Sequence, residues 1–168
     1  EIVQSNSKSL NISIAGVTPE FLEVRSFEVD KGRFISNSDV NSARSFVVIG
    51  PDLKDEFFKN RSSSLGEKIR IKDHTYEIIG ILKPKGAVFG SNQDKNAYIP
   101  LTTMVNRISG KDPTYGVSLS FISVEAKDKN ATSAAKFQIT NLLRQRHKII
   151  RDDDFAVRSQ EDALNIVT

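Results

Sequence analysis

An α+β fold is predicted by three features of the sequence. Residues 45–50 form an uninterrupted apolar strand signal, residues 67–82 read as a hairpin, and residues 130–147 carry a helical period between two further strand signals. With 168 residues the chain is long enough for one domain or two small lobes around a real core.

Taken in order, residues 1–9 are polar and are expected to fray. Leu10, Ile12 and Ile14 alternate with Asn11 and Ser13, the period-two pattern of a half-buried strand. Thr18-Pro19-Glu20 reads as a helix start: the hydroxyl can cap free amides, Pro tolerates the first turn, and Glu suits its positive end. That short helix carries Phe21, Leu22 and Val24. Residues 27–29 form a brief strand that the Asp30-Lys31-Gly32 turn should end, and residues 36–42 form a short polar helix. The apolar strand at 45–50 needs cover on both faces. Pro51 then opens a helix in which Leu53 and Phe57 share one side. After a loop at 61–64, Ile69 and Ile71 alternate with polar neighbours in the first arm of the hairpin, whose turn lies near Asp73-His74. A strand at 97–99 leads to a Thr102-capped helix running to about Ser109. A soft boundary falls at residues 110–116. Beyond it, strands at 117–125 and 154–158 flank the long helix as a β-α-β unit, a crossover that parallel strands require.

Composition narrows the function. Apolar residues make up 38% and charged residues 27%, a globular balance. The net charge of +3 comes from 24 basic and 21 acidic residues interleaved along the chain, unlike the basic stripe of a nucleic-acid binder, so no nucleic-acid partner is expected. The absence of cysteine removes disulfides, thiolate metal sites and a cysteine nucleophile. No apolar run approaches the roughly 20 residues that cross a bilayer. The chain starts at Glu1 and reads as a piece of a larger protein. His74 and His147 have no partner at metal-ligand spacing, and Asp152-Asp153-Asp154 reads as a solvated acidic turn. No serine sits in a nucleophile elbow. Gly86-Ala87-Val88-Phe89-Gly90 lacks the ending of a phosphate loop, so no nucleotide should bind. Catalytic, cofactor and metal residues are therefore not assigned.

The most informative stretch is Lys83-Pro84-Lys85-Gly86-Ala87-Val88-Phe89-Gly90-Ser91-Asn92-Gln93-Asp94, a basic Pro/Gly loop between strand signals. Its chemistry points to contact rather than catalysis. Phe89 lies between glycines, where a bulky aromatic needs either burial beneath its own loop or a partner. Phe21 has the same two readings, core packing or contact.

Several segments together resemble one family, in the right order. They are Gly16-Val17-Thr18-Pro19-Glu20-Phe21, Gly32-Arg33-Phe34 with Asp39, Phe46-Val47-Val48-Ile49-Gly50, and the hairpin from Gly66 to Leu82. Asn92-Gln93-Asp94, Ile99-Pro100-Leu101-Thr102-Thr103 and Leu142-Leu143-Arg144-Gln145-Arg146-His147 complete the set. The chain resembles the extracytoplasmic (periplasmic) core domain of MacB-type ABC transporter permeases.

The resemblance implies an inserted, sabre-like lobe of mixed sheet and helices at residues 1–115, and at 116–168 the C-terminal β-α-β half of a porter-like lobe. The N-terminal half of that lobe is missing, which should leave an apolar surface around Phe121 and Phe137. It implies a place on the periplasmic face of the bacterial cytoplasmic membrane, looped out between the first two of four membrane helices. It also implies a homodimer with a second permease protomer, an ATP-binding cassette that is separate or fused, and a periplasmic adaptor (membrane fusion) protein. The expected function is non-enzymatic: ATP hydrolysis in the cytoplasm is coupled to substrate movement by mechanotransmission, most often for export. The alternative is a regulatory module that signals to a cell-envelope partner. Carried over by position, Phe21 and Phe89 face the passage between protomers, with Asn92, Gln93 and Asp94 as further contact candidates.

Overall fold

The computed structural model describes residues 2–5, 8–59, 64–88, 91–160 and 162. They divide by packing into two units, Glu1–Ser123 and Val124–Thr168. The first unit opens with β1 (Ile2–Ser5), β2 (Lys8–Asn11), β3 (Ile14–Val17), α1 (Phe21–Val24), β4 (Val29–Gly32) and α2 (Asn37–Asn41). It continues with β5 (Phe46–Ile49), α3 (Pro51–Phe58), β6 (Lys68–Ile71), β7 (His74–Leu82), the short pair β8 (Ala87–Val88) and β9 (Ser91–Asn92), β10 (Ala97–Pro100) and α4 (Leu101–Met104). A 3-10 turn at Gln93–Lys95 precedes β10, and a π turn at Val105–Ser109 extends α4. The second unit holds α5 (Thr132–His147), led in by a 3-10 turn at Lys129–Ala131.

The main sheet has the order β2-β1-β6-β7-β5-β10-β3, with β4 also paired to β7. The nine-residue β7 is its hub. Its first part pairs antiparallel with β6, its last part antiparallel with β4, and its middle and end parallel with β5. As its apolar run requires, β5 is covered on both faces. Val47 and Ile49 enter a core with Leu53, Phe57, Ile69, Ile71, Tyr76 and Ile78, while Val48 enters a second core with Phe27, Phe34, Leu82 and Tyr98. Each such aliphatic or aromatic side chain stabilises the fold by about 1.5–3 kcal/mol on burial. The α+β class and the hairpin are as the sequence predicts.

Other expectations need correction. Residues 2–5 are not frayed but form β1, with Val3 fully buried where it pairs with Ile71 of β6. The strand expected through residues 10–14 is two strands, β2 and β3, which end at opposite edges of the sheet. Asp30-Lys31-Gly32 does not end a strand but forms most of β4, since a bulge between Val29 and Lys31 lets it follow β7. Neither threonine caps its helix. The Thr18 backbone carbonyl, not its hydroxyl, accepts from the Phe21 amide, while the Thr102 hydroxyl donates to the Val40 carbonyl and ties α4 to α2. Residues 61–63 of the expected loop lie outside the described residues.

The strands expected at 117–125 and 154–158 form no β ladder among the described residues. An alternating sequence becomes a strand only where a neighbour supplies donors and acceptors, and neither segment pairs with the other. Leu119, Phe121, Ile122 and Val124 are all exposed. In the second unit α5 matches the predicted helix, though none of its residues is fully buried. Asp128 accepts from the Ala131 amide at its start, and Lys148 closes it in the left-handed region with φ 55°. Arg144 pairs with Asp153 at 3.0 Å and His147 with Asp154 at 2.8 Å, so two of the three aspartates pin the following turn to the helix end. Ser159 and Asp162 cap one another reciprocally, and Lys136 donates to Asp162, holding its carboxyl at about 2.

Candidate functional site

Two structures meet on one side of the first unit: the α1 turn and the 83–96 loop. α1 is only four residues long, and its ends are fixed by backbone bonds from Phe21 to Thr18 and from Arg25 to Phe21. Glu20 is held below the usual carboxylate range by a bond to its own backbone and then by the Thr18 hydroxyl. Such a short helix is stable only through the face it packs. That face is aromatic. The half-buried Phe21 stacks on Phe27 at 5.8 Å, leans on Tyr98 at 5.3 Å and reaches Phe121 at 6.4 Å. Phe27 in turn meets Tyr98 edge-on at 5.6 Å. Tyr98 is 2% exposed, and burial pushes its hydroxyl pKa up. Aromatic pairs at these separations add about 0.5–1.5 kcal/mol each beyond the area they bury.

Lys85 joins this cluster to the loop. Its ammonium lies 4.4 Å from the Phe27 ring centroid, where the face of the ring attracts a cation. It also donates to the carbonyls of Arg25 and Ser26 at the end of α1. Partial burial, then the Arg25 charge, lowers its pKa. One residue from Pro84, Lys83 pairs with Glu28 at 2.6 Å and its amide donates to the Glu28 carbonyl, so both lysines staple the loop to the α1–β4 segment.

Asp94 holds the other arm. It is 8% exposed, and its two carboxylate oxygens accept from the backbone amides of Lys85 at 2.7 Å and Gly86 at 2.9 Å. Gly86 turns the chain with φ +75°, which suits glycine. The Asn92 side chain accepts from the Asp94 amide and donates to Asp52 at 3.0 Å, and the Gln93 amide donates to the Gly86 carbonyl. Gly50 makes the fit possible: a Cβ there would stand 2.2 Å from the Asp94 carbonyl oxygen.

Phe21 and Asn92-Gln93-Asp94 are thus connected, through Phe27, Lys85 and the Asp94 carboxylate. Asn92 is exposed, Gln93 and Phe21 are half-buried, and Asp94 points inward. Phe89 lies outside the described residues. Sequence reasoning missed Lys85, Phe27, Tyr98 and Gly50. The Lys-Pro-Lys-Gly run signalled Lys85, but nothing local announces that Phe27 and Tyr98 converge. Among the described residues no three His, Asp or Glu gather as a metal set, and no helix is long and apolar enough to cross a membrane.

The sequence and the fold both have counterparts among known proteins. The family model described as the MacB-like periplasmic core domain matches residues 2–142. The chain belongs to the MacB-like periplasmic core domain family. Its relatives include proteins named macrolide export ATP-binding/permease protein MacB. The one from Shewanella sp. (strain W3-18-1) is 34% identical over 95% of the chain, and the one from Shewanella sp. (strain ANA-3) is 32% identical over 98%. The chain spans 24% of the length of each. In fold it is similar to the periplasmic region of MacB from Actinobacillus actinomycetemcomitans, with TM-score 0.73 and 22% identity, covering 99% of this chain and 70% of that one. The extracellular domain of the ABC-type transporter YknZ from Gram-positive bacteria aligns with TM-score 0.72 and 19% identity, over 88% of this chain and 71% of that one. A MacB-like periplasmic core domain is an extracytoplasmic domain of an ABC transporter permease, and that is the class of this chain.

Proposed function

We propose that this MacB-like domain is the non-catalytic moving part of an exporting permease. It couples ATP hydrolysis in the cytoplasm to substrate movement through a periplasmic passage on which an adaptor protein docks. Two protomers face each other across the passage, and an ATP-binding cassette, fused or separate, drives them. The names of its relatives, which join ATP-binding and permease in one protein, support the link to a cassette. Residues 1–115 serve as the inserted sabre-like lobe and 116–168 as the C-terminal half of a porter-like lobe. The greater length of the solved MacB periplasmic region, of which this chain covers 70%, supports a porter-like lobe that is only partly present.

The observation that carries the reading is the clamp on the 83–96 loop. Lys83 and Lys85 hold one arm, Asp94 and Asn92 the other, and the Phe21 cluster lies alongside. A loop fixed so firmly at its base is suited to transmitting motion to whatever its tip touches. Phe21, Phe89, Asn92 and Gln93 are the proposed contact residues, and Asp94 the residue that holds them in place.

Alanine substitutions test this. In the isolated chain, Phe89→Ala should shift stability by less than about 1 kcal/mol, as at a surface site, whereas a buried Phe would cost about 3–5 kcal/mol. In the full transporter, Phe89→Ala should impair export without lowering expression, and Phe21→Ala with Phe89→Ala should also impair export. A large stability loss for Phe89→Ala returns that residue to the core. Unchanged export with both alanines removes the passage role and favours a regulatory module facing a cell-envelope partner.

A further inference from the structure

A second surface, separate from the aromatic turn, is built around Phe46. In the sheet register Phe46 of β5 stands beside Glu77 of β7, and Glu77 beside Lys68 of β6. The three form a row on the face opposite the core that holds Val47, Ile78 and Ile69. Two guanidinium groups flank the half-exposed ring, Arg33 at 5.5 Å and Arg44 at 5.9 Å from its centroid. Arg33 is neutralised by the buried Asp39, bonded through both nitrogens at 2.5 and 3.1 Å. Arg44 and Lys68 have no such carboxylate among the described residues. Arg107 likewise has none, and donates at 2.5 Å to the Ser45 hydroxyl instead. Arg44, Phe46, Lys68, Glu77 and Arg107 line one shallow depression of about 420 Å³.

The backbone there is fixed. Ala43 sits at φ 45°, in the left-handed region that a residue with a side chain rarely adopts. The next carbonyl, of Arg44, accepts from the Thr103 hydroxyl at 2.8 Å, and the Arg44 amide donates to the Asp39 carbonyl at 3.0 Å. Three cations without carboxylates among the described residues therefore line one depression with the ring, Arg44 nearest to it, and a single acid stands between Lys68 and Phe46 in the row. Guanidinium groups beside a ring keep their N–H edges free for bidentate carboxylates. A half-exposed aromatic between arginines also has the composition of an interface anchor.

We infer that this basic shelf docks an acidic segment of a partner protein, whose carboxylates meet Arg44 and Arg107 while an apolar side chain between them lies on Phe46. Glu77 disfavours an anionic lipid surface more than a peptide. A backbone amide or a lysine of the partner can satisfy it, whereas a uniformly anionic lipid surface would press negative charge against it. The inference holds whether or not the parent exports.

The test is titration of the isotopically labelled chain with the acetylated, amidated peptide Glu-Leu-Glu-Leu-Glu, with Lys-Leu-Lys-Leu-Lys, inorganic phosphate and phosphatidylglycerol vesicles as comparisons. The expected result is saturable binding of the acidic peptide that shifts amide resonances at 42–46, 75–77 and 107 and weakens with salt. Affinity should fall by about tenfold or more in Arg44→Gln with Arg107→Gln, while the denaturation midpoint stays put because both guanidinium groups are exposed. Glu77→Gln should leave the acidic peptide bound as tightly or more tightly. No binding, equal binding by the double variant, or a preference for phosphate, vesicles or the lysine peptide at these resonances overturns the proposal.

Discussion

Asp39 and Asp94 are the buried carboxylates among the described residues, and each solves a different local problem. Asp39 accepts from Arg33, from the Ser36 amide and from the Ser36 hydroxyl, completing a capping box at the start of α2. The Arg33 bonds come first among the causes that hold its pKa at about 2, against an ordinary 3.8. A depressed carboxylate stabilises the fold above its unfolded value, and that stability is lost as pH falls through the folded one. Asp39 therefore contributes roughly 2 kcal/mol at neutral pH, lost between about pH 4 and pH 2. Asp39→Asn should lose a comparable amount at neutral pH and flatten the acid limb of stability, as read from denaturant midpoints across that range. Asp94 answers backbone amides instead of a guanidinium. Asp94→Ala leaves the Lys85 and Gly86 amides without acceptors and should cost about 2–3 kcal/mol, with Asp94→Asn recovering part of it through its one remaining acceptor oxygen.

At the scale of elements, the loop clamp and the end of β5 behave as one device, because Gly50 admits the Asp94 carbonyl where any Cβ would collide. Gly50→Ala should destabilise by about 1–3 kcal/mol by forcing that backbone apart. Combined with Asp94→Ala, the loss should be smaller than the two single losses added, since both undo the same contact. A double-mutant cycle on thermal or chemical denaturation measures this. The same elements show what a sequence can and cannot disclose. β5, α3, the β6–β7 hairpin and α5 were readable because their signals are local: an apolar run, Pro51 at a helix start, alternation about a turn, a helical period. β1, the division into β2 and β3, and β4 were not. Their identity as strands depends on distant partners, Val3 on Ile71 and Lys31 on Ile81. The caps misled for the same reason, since the Thr102 hydroxyl serves a carbonyl 62 residues away. At the candidate site, Phe21 and the Asn92-Gln93-Asp94 run could be named from sequence, but the Lys85 link between them needed the fold.

For the whole molecule, apolar side chains left in water should drive association. Phe121 is 57% exposed and Phe137 68% exposed, with Leu119, Ile122, Val124 and Leu142 also open. Exposed apolar clusters favour contacts between chains. Sedimentation velocity on the isolated chain should therefore show a concentration-dependent rise in mass, which Phe121→Asp with Phe137→Asp should suppress. A strictly monomeric wild type would overturn this expectation. The hub position of β7 has a mechanical consequence as well. Its ladders with β6 and β4 on one edge and β5 on the other engage most of its length, so a pull along the strand loads many hydrogen bonds at once rather than peeling them singly. The sheet should act as a stiff beam, with compliance confined to its periphery. Amide hydrogen exchange should then be slowest at residues 77–81, opening only with global unfolding, and faster at β2, which ends the sheet order. A force entering at either end of this beam would arrive at the other with little lost to bending.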